Sequence, residues 1–270
     1  MLRTWQTCVL ALCVSASSSA FAATITAYGI DHIAEAPPPH DLTPTFSATS
    51  VRWSWSPNLV GAASALGITP SGDPQPTITL DRGQPTAVLQ DFSLVSLTME
   101  HSAVDGSLNV ISEQLRGNIT LTGAGSELTQ GTGSMTLSDL RIDHLGKQVF
   151  AKVNGAASTE TAIFSFDAPA FVLAETAFTP ILTCLPGRPH CMANLESLSA
   201  HPVLSNLQFT EQGRTLWDQS FQLTPLGKVT MDAVGGLGKM SVTAVPEAST
   251  WALMLIGLAG IGLARRRLSA

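Results

Sequence analysis

Two cysteines and a histidine lie close together in the segment CLPGRPHC, which runs from Cys184 to Cys191. Two prolines and a glycine between the cysteines predict a tight reversal that brings the sulfurs together. In an oxidising compartment such a pair is expected to close as a disulfide. Closing an eight-residue loop stabilises a fold by about 2.5 kcal/mol through lost chain entropy. The alternative is a metal or redox site of Cys184, His190 and Cys191, which lacks a fourth ligand and the Cys-x-x-Cys spacing, so the disulfide is favoured.

The histidines and serines do not match a known catalytic pattern. No His-Glu-x-x-His or His-x-His pair stands at metal-ligand spacing from a carboxylate, and no Gly-x-Ser-x-Gly segment supplies a nucleophile. Asp143 and His144 are the best adjacent acid and base, but they lie where a predicted strand ends at Gly146. We therefore expect no catalytic residue, no metal and no cofactor, and a protein that is not an enzyme. The histidines of the chain are His32, His40, His101, His144, His190 and His201.

Trp53 and Trp55 lie two residues apart, so a strand places both indoles on one face together with Val51. On an exposed face, two indoles form a stacking platform for sugar rings. On a buried face, they belong to the core. With so few tryptophans in the middle of the chain, the core is the favoured interpretation.

Three Thr-x-Thr segments that have Ile or Leu as the middle residue raise a different surface chemistry. A flat array of such pairs orders water and could bind ice. The three copies are not periodic, and threonine is common in strands for other reasons, so ice binding is not favoured. The segments are Thr24–Thr26, Thr77–Thr79 and Thr120–Thr122.

The elements that must position these residues are strands. Residues 23–244, called the body, hold 25 threonines and 21 serines among 222 residues. Threonine-rich sequence with short apolar alternation between Gly, Pro, Asp or Asn turns is typical of an all-β fold. We predict an antiparallel β-sandwich or a related all-β architecture, without a long amphipathic helix. The alternation is clearest at 51–55, 87–98, 134–142, 149–153, 163–166 and 216–223.

Three body segments share the pattern Leu, polar, Asp or Asn, apolar, any residue, apolar. They are Leu89–Leu94, Leu137–Ile142 and Leu204–Phe209. The pattern predicts three similar strands with a β-bulge at the Asp or Asn, and their irregular spacing is unlike that of a solenoid. Because proline cannot donate to a ladder, the proline-rich segments 36–44 and 69–76 are predicted to be loops or linkers.

The N-terminal residues 1–22 are predicted to be a secretory signal peptide. Arg3 supplies the positive charge, residues 8–16 form a short apolar region, and Ala20-Phe21-Ala22 is a small-x-small cleavage site. An apolar region of about 9 to 15 residues is too short for a membrane anchor. Cleavage leaves Ala23 as the new N-terminus and removes Cys8 and Cys13.

At the other end, residues 251–264 form an uncharged apolar run that is followed by Arg265, Arg266 and Arg267. As a helix, the run is about 21 Å long, which is marginal for crossing a bilayer. The three arginines are expected to stay in the cytoplasm, which leaves the body outside the inner membrane. The large apolar residues of the predicted membrane helix are Trp251, Leu253, Leu255, Ile256, Leu258, Ile261 and Leu263.

Val245, Pro246 and Glu247 precede this apolar run, so a short motif, an apolar helix and a basic end follow one another over residues 245–270. This order is similar to the PEP-CTERM sorting tail, also called the ice-binding-protein C-terminal domain. Pro246 and Glu247 match its Pro-Glu-Pro motif by position, and Ala248 stands where a second proline is usual. The resemblance implies recognition by an exosortase, a membrane cysteine protease or transpeptidase of Gram-negative bacteria that produce exopolysaccharide. It implies nothing about the body.

The charge balance excludes other classes of protein. Only 13% of residues are charged, 44% are hydrophobic and the net charge is −6. A disordered, solvating chain has more charge, and a nucleic-acid binder needs a basic face. The predicted signal peptide and the resemblance of the tail imply an exported protein that is anchored transiently in the inner membrane and then lies at the cell surface or in an exopolysaccharide matrix. We expect it to be non-enzymatic and to be structural or adhesive there. The alternative is a carbohydrate-binding or carbohydrate-active module that uses Trp53 and Trp55.

Overall fold

The computed structural model describes residues 24–36, 45–46, 49–102, 107–155, 159–170, 172–173, 183–184, 191–192, 194–195 and 202–244. Strands account for 57% of these described residues, and helices for few of them. The all-β prediction is therefore confirmed.

The strands of the described ranges are numbered in chain order. They are β1 (Thr24–Gly29), β2 (Thr45–Phe46), β3 (Thr49–Trp55), β4 (Ile68–Asp73), β5 (Thr77–Asp81), β6 (Gln84–His101), β7 (Leu108–Arg116), β8 (Asn118–Gly123), β9 (Gly133–Asp143), β10 (Gln148–Val153), β11 (Glu160–Asp167), β12 (Val172–Leu173), β13 (Thr183–Cys184), β14 (Cys191–Met192), β15 (Asn194–Leu195), β16 (Ser205–Phe209) and β17 (Gly238–Ala244).

Four short helices lie between the described strands. They are a 3-10 helix (Ile30–Glu35), α1 (Pro57–Ala65), α2 (Glu211–Phe221) and α3 (Pro225–Asp232). Each α-helix begins after a hydroxyl residue whose side-chain oxygen accepts a hydrogen bond from the backbone N–H three residues later. A proline at the first turn of α1 and α3 has no amide hydrogen to leave unsatisfied there.

Helix α2 corrects the sequence interpretation, because residues 216–223 were predicted to be a strand. The buried residues Gly213, Trp217 and Phe221 are four apart, which places them on one face of a helix. A Cβ atom at Gly213 would overlap the carbonyl oxygen of Ile163 in β11. The glycine therefore allows the helix backbone to lie directly against the sheet.

Fifteen of the seventeen described strands belong to one sheet, and β13 and β14 pair with each other apart from it. Two long strands of the large sheet change partners along their length. Strand β6 pairs with β5 and β3 in its first half and with β1 and β7 in its second half. Along one edge, strand β9 pairs first with β8 and then with β7. Along its other edge it pairs with β10. From β6 the order runs through β7, β9, β10 and β11 to β16 in one direction, and through β3 to β17 in the other.

The two ends of this path meet beside β16. The backbone N–H of Leu204 donates to the oxygen of Met240 at 2.9 Å, and the N–H of Met240 donates back at 3.0 Å. The sheet is therefore nearly closed on itself and antiparallel apart from the short pairings of β2 with β1 and β15 among the described strands. Of the predicted architectures, an antiparallel sandwich or a related all-β fold, the nearly closed sheet is of the second kind, because β6 and β9 carry the hydrogen bonding from one part of the sheet into the next.

A row of aromatic side chains runs through the interior. Successive ring centroids lie 4.9 to 5.7 Å apart in tilted contacts, a geometry that aromatic pairs favour. The row links β3, β11, β16 and α2, so it fixes the helix against the sheet. Its members are Trp55, Trp53, Phe164, Phe209, Trp217 and Phe221.

Two of the three predicted bulges are present. Asp139 and Asn206 have φ angles of 49° and 52°, and the register shifts beside each of them. Asp and Asn tolerate this left-handed conformation better than most residues. The remaining segment, Leu89–Leu94, has no bulge at its aspartate. Asp91 is in regular register and accepts two hydrogen bonds from Arg52, at 2.8 and 2.9 Å.

The proline-rich segment 69–76 was predicted to be a loop, but it begins as strand β4. This strand pairs with β8 without a register shift. Pro70 lies within β4, which pairs with β8 and with no other described strand, so β4 is an edge strand in the described part of the sheet. An edge strand tolerates proline because the missing N–H is not needed there. The other proline-rich segment, 36–44, lies almost entirely outside the described residues.

Candidate functional site

The body ends in strand β17, and the C-terminal tail begins there. All seven residues of β17 pair with β3, from Gly238 opposite Trp55 to Ala244 opposite Thr49. Pro246, two residues after the strand, has no amide hydrogen with which to extend a ladder. The end of β17 is therefore the structural boundary between body and tail.

Close packing against β3 and the core also fixes where β17 begins. Gly238 has a φ of 130°, and a Cβ atom there would overlap the carbonyl oxygen of Ser54. Leu237 and Met240 are 1% and 0% exposed. The strand is thus a structural part of the nearly closed sheet and not an extension of the tail.

The predicted tail residues lie outside the described part of the chain. These are Pro246 and Glu247 of the motif, the helix 251–264, and Arg265, Arg266 and Arg267. Among the residues that the structure does describe, every helix falls short of what crossing a membrane requires.

A cavity of about 190 Å³ lies beside the end of β17. Thr49 and Ser50, which line it, are the residues of β3 that pair with Ala244 and Thr243. Gly29, Asp31, His32, Ser93 and Leu94 complete its lining.

A surface ion-pair cluster borders the cavity. Glu35 accepts a hydrogen bond at 2.7 Å from Arg116 and lies 2.9 Å from Nδ1 of His32. Burial raises the pKa of Glu35, but the hydrogen bonds from His32 and Arg116 and the charge of Arg116 lower it by more, so the pKa lies below its ordinary value. Glu35 is therefore ionised at neutral pH and ties the 3-10 helix to β7.

Replacing Arg116 with alanine is expected to raise the pKa of Glu35 towards its ordinary value. Because the folded-state pKa is lowered, the pair stabilises the fold above the unfolded-state pKa, and this contribution is lost as pH falls through the folded-state pKa. Both side chains are partly exposed, so the loss at pH 7 is about 0.5 kcal/mol. Urea unfolding of both proteins at pH 7 and at about pH 3 measures it; a difference that does not shrink at the lower pH would contradict the assignment.

A buried acid and base lie elsewhere in the body. Oε1 of Glu113 in β7 lies 2.6 Å from Nε2 of His144, and the two side chains are 0% and 4% exposed. Glu113 is flanked across the sheet by Leu97 and Ile142, which are fully buried. The pair is enclosed by the core and not accessible from a cleft.

The sequence shows Asp143 and His144 as the best adjacent acid and base, but the carboxylate that lies against His144 is that of Glu113. The carboxylate of Asp143 instead accepts the backbone N–H of Gly146 at 2.9 Å and closes a turn. The alternation of the sequence does not reveal that Glu113 is buried, because strand β7 contains a bulge. Thr98 faces Ser112 and Met99 faces Val110, so Ile111 is an extra residue. The bulge turns Glu113 from the outer phase of the strand to the inner one.

Trp53 and Trp55 are 2% and 6% exposed, and their ring centroids lie 5.5 Å apart. The alternative of an exposed sugar platform at these residues is therefore wrong, because both indoles face the interior of the nearly closed sheet. The favoured interpretation, a core face, is confirmed.

Cys184 and Cys191 face each other across the short β13–β14 pairing. Their side chains and His190 lie outside what the structure describes, so the disulfide remains a prediction. Within the described ranges, no group of three or more His, Cys, Asp or Glu residues is placed to hold a metal ion.

Comparison with known proteins identifies the tail. Residues 244–267 match the PEP-CTERM protein-sorting motif. No curated protein and no solved structure matches the chain. The match supports export and sorting by an exosortase, and its first residue, 244, is the last residue of β17.

Proposed function

We propose that this protein is a non-enzymatic component of the cell surface or extracellular matrix, which an exosortase-type enzyme delivers through the C-terminal tail. Its role there is structural or adhesive, within an exopolysaccharide layer. The observation that carries this proposal is that the sorting motif begins at the residue where the folded sheet ends.

The order of events follows from the two ends of the chain. The signal peptide 1–22 starts export, and the apolar run 251–264 holds the substrate in the inner membrane of a Gram-negative cell. Arg265 to Arg267 keep the C-terminus in the cytoplasm. Pro246 and Glu247, which follow β17 in the sequence, are then presented to the enzyme, and processing leaves the described strands of the body in place.

A structural role also agrees with the best acid–base pair in the described body. Glu113 and His144 are enclosed by core residues, so a substrate would reach them only if the sheet opened. The pair therefore supports the fold in this proposal and does not act on a ligand.

Replacing Pro246 and Glu247 together with alanine is expected to stop tail processing, because these residues carry recognition. The variant should accumulate in the inner membrane with its tail attached, and the surface fraction should fall by about tenfold or more, as when a recognition element is lost. Immunoblots of membrane and surface fractions measure this.

The control for that experiment is Glu127→Ala, which removes an exposed glutamate from the body without touching the tail. It should be processed as the wild type is. Normal surface delivery of the Pro246→Ala, Glu247→Ala protein would contradict the proposed route.

A further inference from the structure

Strands β4, β8 and β9 present a regular outer face of hydroxyl groups. Each strand contributes two serine or threonine residues, two positions apart, and each residue is exposed or half-buried. We call this surface the hydroxyl face. Its members are Thr69, Ser71, Thr120, Thr122, Ser134 and Thr136.

The six residues stand in two rows across the strands. Thr69 faces Thr122, which faces Ser134; Ser71 faces Thr120, which faces Thr136. Neither pairing contains a register shift. The residues that carry the hydroxyl groups therefore repeat at about 4.8 Å across the strands and about 6.7 Å along them.

The core fixes which side of these strands faces outward. The alternating residues Ile119, Leu121, Met135 and Leu137 are at most 1% exposed. A slip of one residue would bring the hydroxyl groups into the core and the apolar side chains into water. The hydroxyl face is thus as rigidly placed as the interior.

Hydrogen bonds within the face orient its side chains. Thr69 donates to the carbonyl oxygen of Thr122 at 3.3 Å, and Ser71 donates to that of Thr120 at 3.3 Å. The hydroxyl oxygens of Thr120 and Thr136 lie 2.9 Å apart. Since threonine is stiff at χ1, little side-chain freedom remains to be lost on binding.

The chemistry of the face selects its ligand. Its six members include no charged, aromatic or large apolar side chain, so they suit neither a strongly ionic nor a hydrophobic partner. The next row along the same strands, Asp73, Asn118 and Ser138, adds one exposed carboxylate. On the neighbouring strand, Lys152 is neutralised by Asp139 at 2.9 Å. The body has ten basic against nineteen acidic residues, a balance that disfavours an anionic polymer.

We propose that the hydroxyl face is the surface through which the body contacts a neutral, hydroxyl-rich polysaccharide. This inference rests on the proposed surface function and names its partner and site. Each hydroxyl exchanges a water for a sugar hydroxyl with little net gain, so one contact is weak. A repeating polymer contacts both rows of one protein molecule and also contacts many copies of the protein at one surface. Binding therefore becomes strong through avidity.

The test uses the full chain, solubilised in detergent and pelleted with insoluble cellulose or cross-linked dextran. The variant Thr120→Val, Thr122→Val, Thr136→Val removes three hydroxyls and keeps the β-branched shape. It removes both partners of the 2.9 Å contact together, so neither is left unsatisfied. The matched control is Thr77→Val, Thr79→Val on β5, where both threonines are exposed.

The wild type and the β5 control should bind at least one of the two polymers, and the face variant should bind about tenfold more weakly. Equal binding by all three proteins, or no binding by the wild type, would overturn the inference. So would binding to alginate, an anionic polymer, or inhibition of ice growth that the face variant alone loses, because the ligand would then be of another class.

Should the triple variant fail to fold, Thr122→Lys provides a second test with Thr79→Lys as its control. A long charged side chain across the face should abolish binding at the first position and leave it unchanged at the second. Normal surface delivery without polysaccharide binding would refute this inference alone, whereas failed delivery of the wild type would refute the proposed function.

Discussion

A chain that ends at Ala244 is expected to unfold at about the same temperature as the full chain, whereas a chain that ends at Gly236 should not fold. The first truncation removes the residues after β17, and the second also removes the strand itself. Loss of β17 breaks the ladder with β3 along all its seven pairs and opens the contact between Met240 and Leu204.

The expected loss in the shorter chain is large compared with the stability of a domain. Burial of Leu237 and Met240 alone contributes about 1.5–3 kcal/mol each. Trp53 and Trp55, opposite β17, would also become accessible to water. The sum approaches the total of about 5–15 kcal/mol that holds a typical domain together.

Circular dichroism during heating, with limited proteolysis at 25 °C, distinguishes the two truncated chains. A cooperative transition in the chain ending at Gly236 would show that β17 is not needed for the fold. A large loss of stability in the chain ending at Ala244 would show that the tail is part of the fold, and the body could not then be released intact.

Glu113→Ala is expected to destabilise the body by about 1–3 kcal/mol, the range found when one partner of a buried hydrogen bond is removed, because the buried imidazole of His144 loses the carboxylate oxygen 2.6 Å away. His144→Ala should be similarly harmful, because it leaves a carboxylate among Leu97 and Ile142. Urea unfolding measures both values.

A double variant separates the pair from its surroundings. Glu113→Leu with His144→Leu should be more stable than either alanine variant, since two apolar side chains restore packing and neither partner of the buried polar contact remains. The exposed Glu127→Ala should change the free energy of unfolding by less than about 0.5 kcal/mol. If Glu113→Ala and Glu127→Ala had the same small effect, the buried contact would not contribute to stability.

Local patterns in the sequence predicted those parts of the fold that depend on local chemistry. Alternation identified β3, β6, β9, β10 and β11, and a repeated pattern located the bulges at Asp139 and Asn206. These features follow from two-residue periodicity and from the tolerance of Asp and Asn for positive φ.

The predictions were wrong where a longer stretch of sequence, or the pairing with another strand, decides the structure. The spacing of Gly213, Trp217 and Phe221, together with the cap at Thr210, indicates helix α2, although the shorter stretch 216–223 alternates like a strand. The bulge at Ile111, which turns Glu113 inward, is visible only in the pairing of β6 with β7.

The closure of the sheet and the hydroxyl face are also products of tertiary structure. Closure depends on Leu204 meeting Met240 across 36 residues of chain. The Thr-x-Thr segment at 120–122 looked isolated in the sequence, and only the register places it between Thr69 and Ser71 on one side and Ser134 and Thr136 on the other.

The central claim is that the body is exported and then separated from its tail close to the end of β17. The intact mass of the protein recovered from the cell surface tests it most directly. We predict a chain that begins at Ala23 and ends after Ala244 but before the apolar run at Trp251, allowing for any group attached at the new C-terminus. A surface protein whose mass includes residues 251–270 would contradict the account.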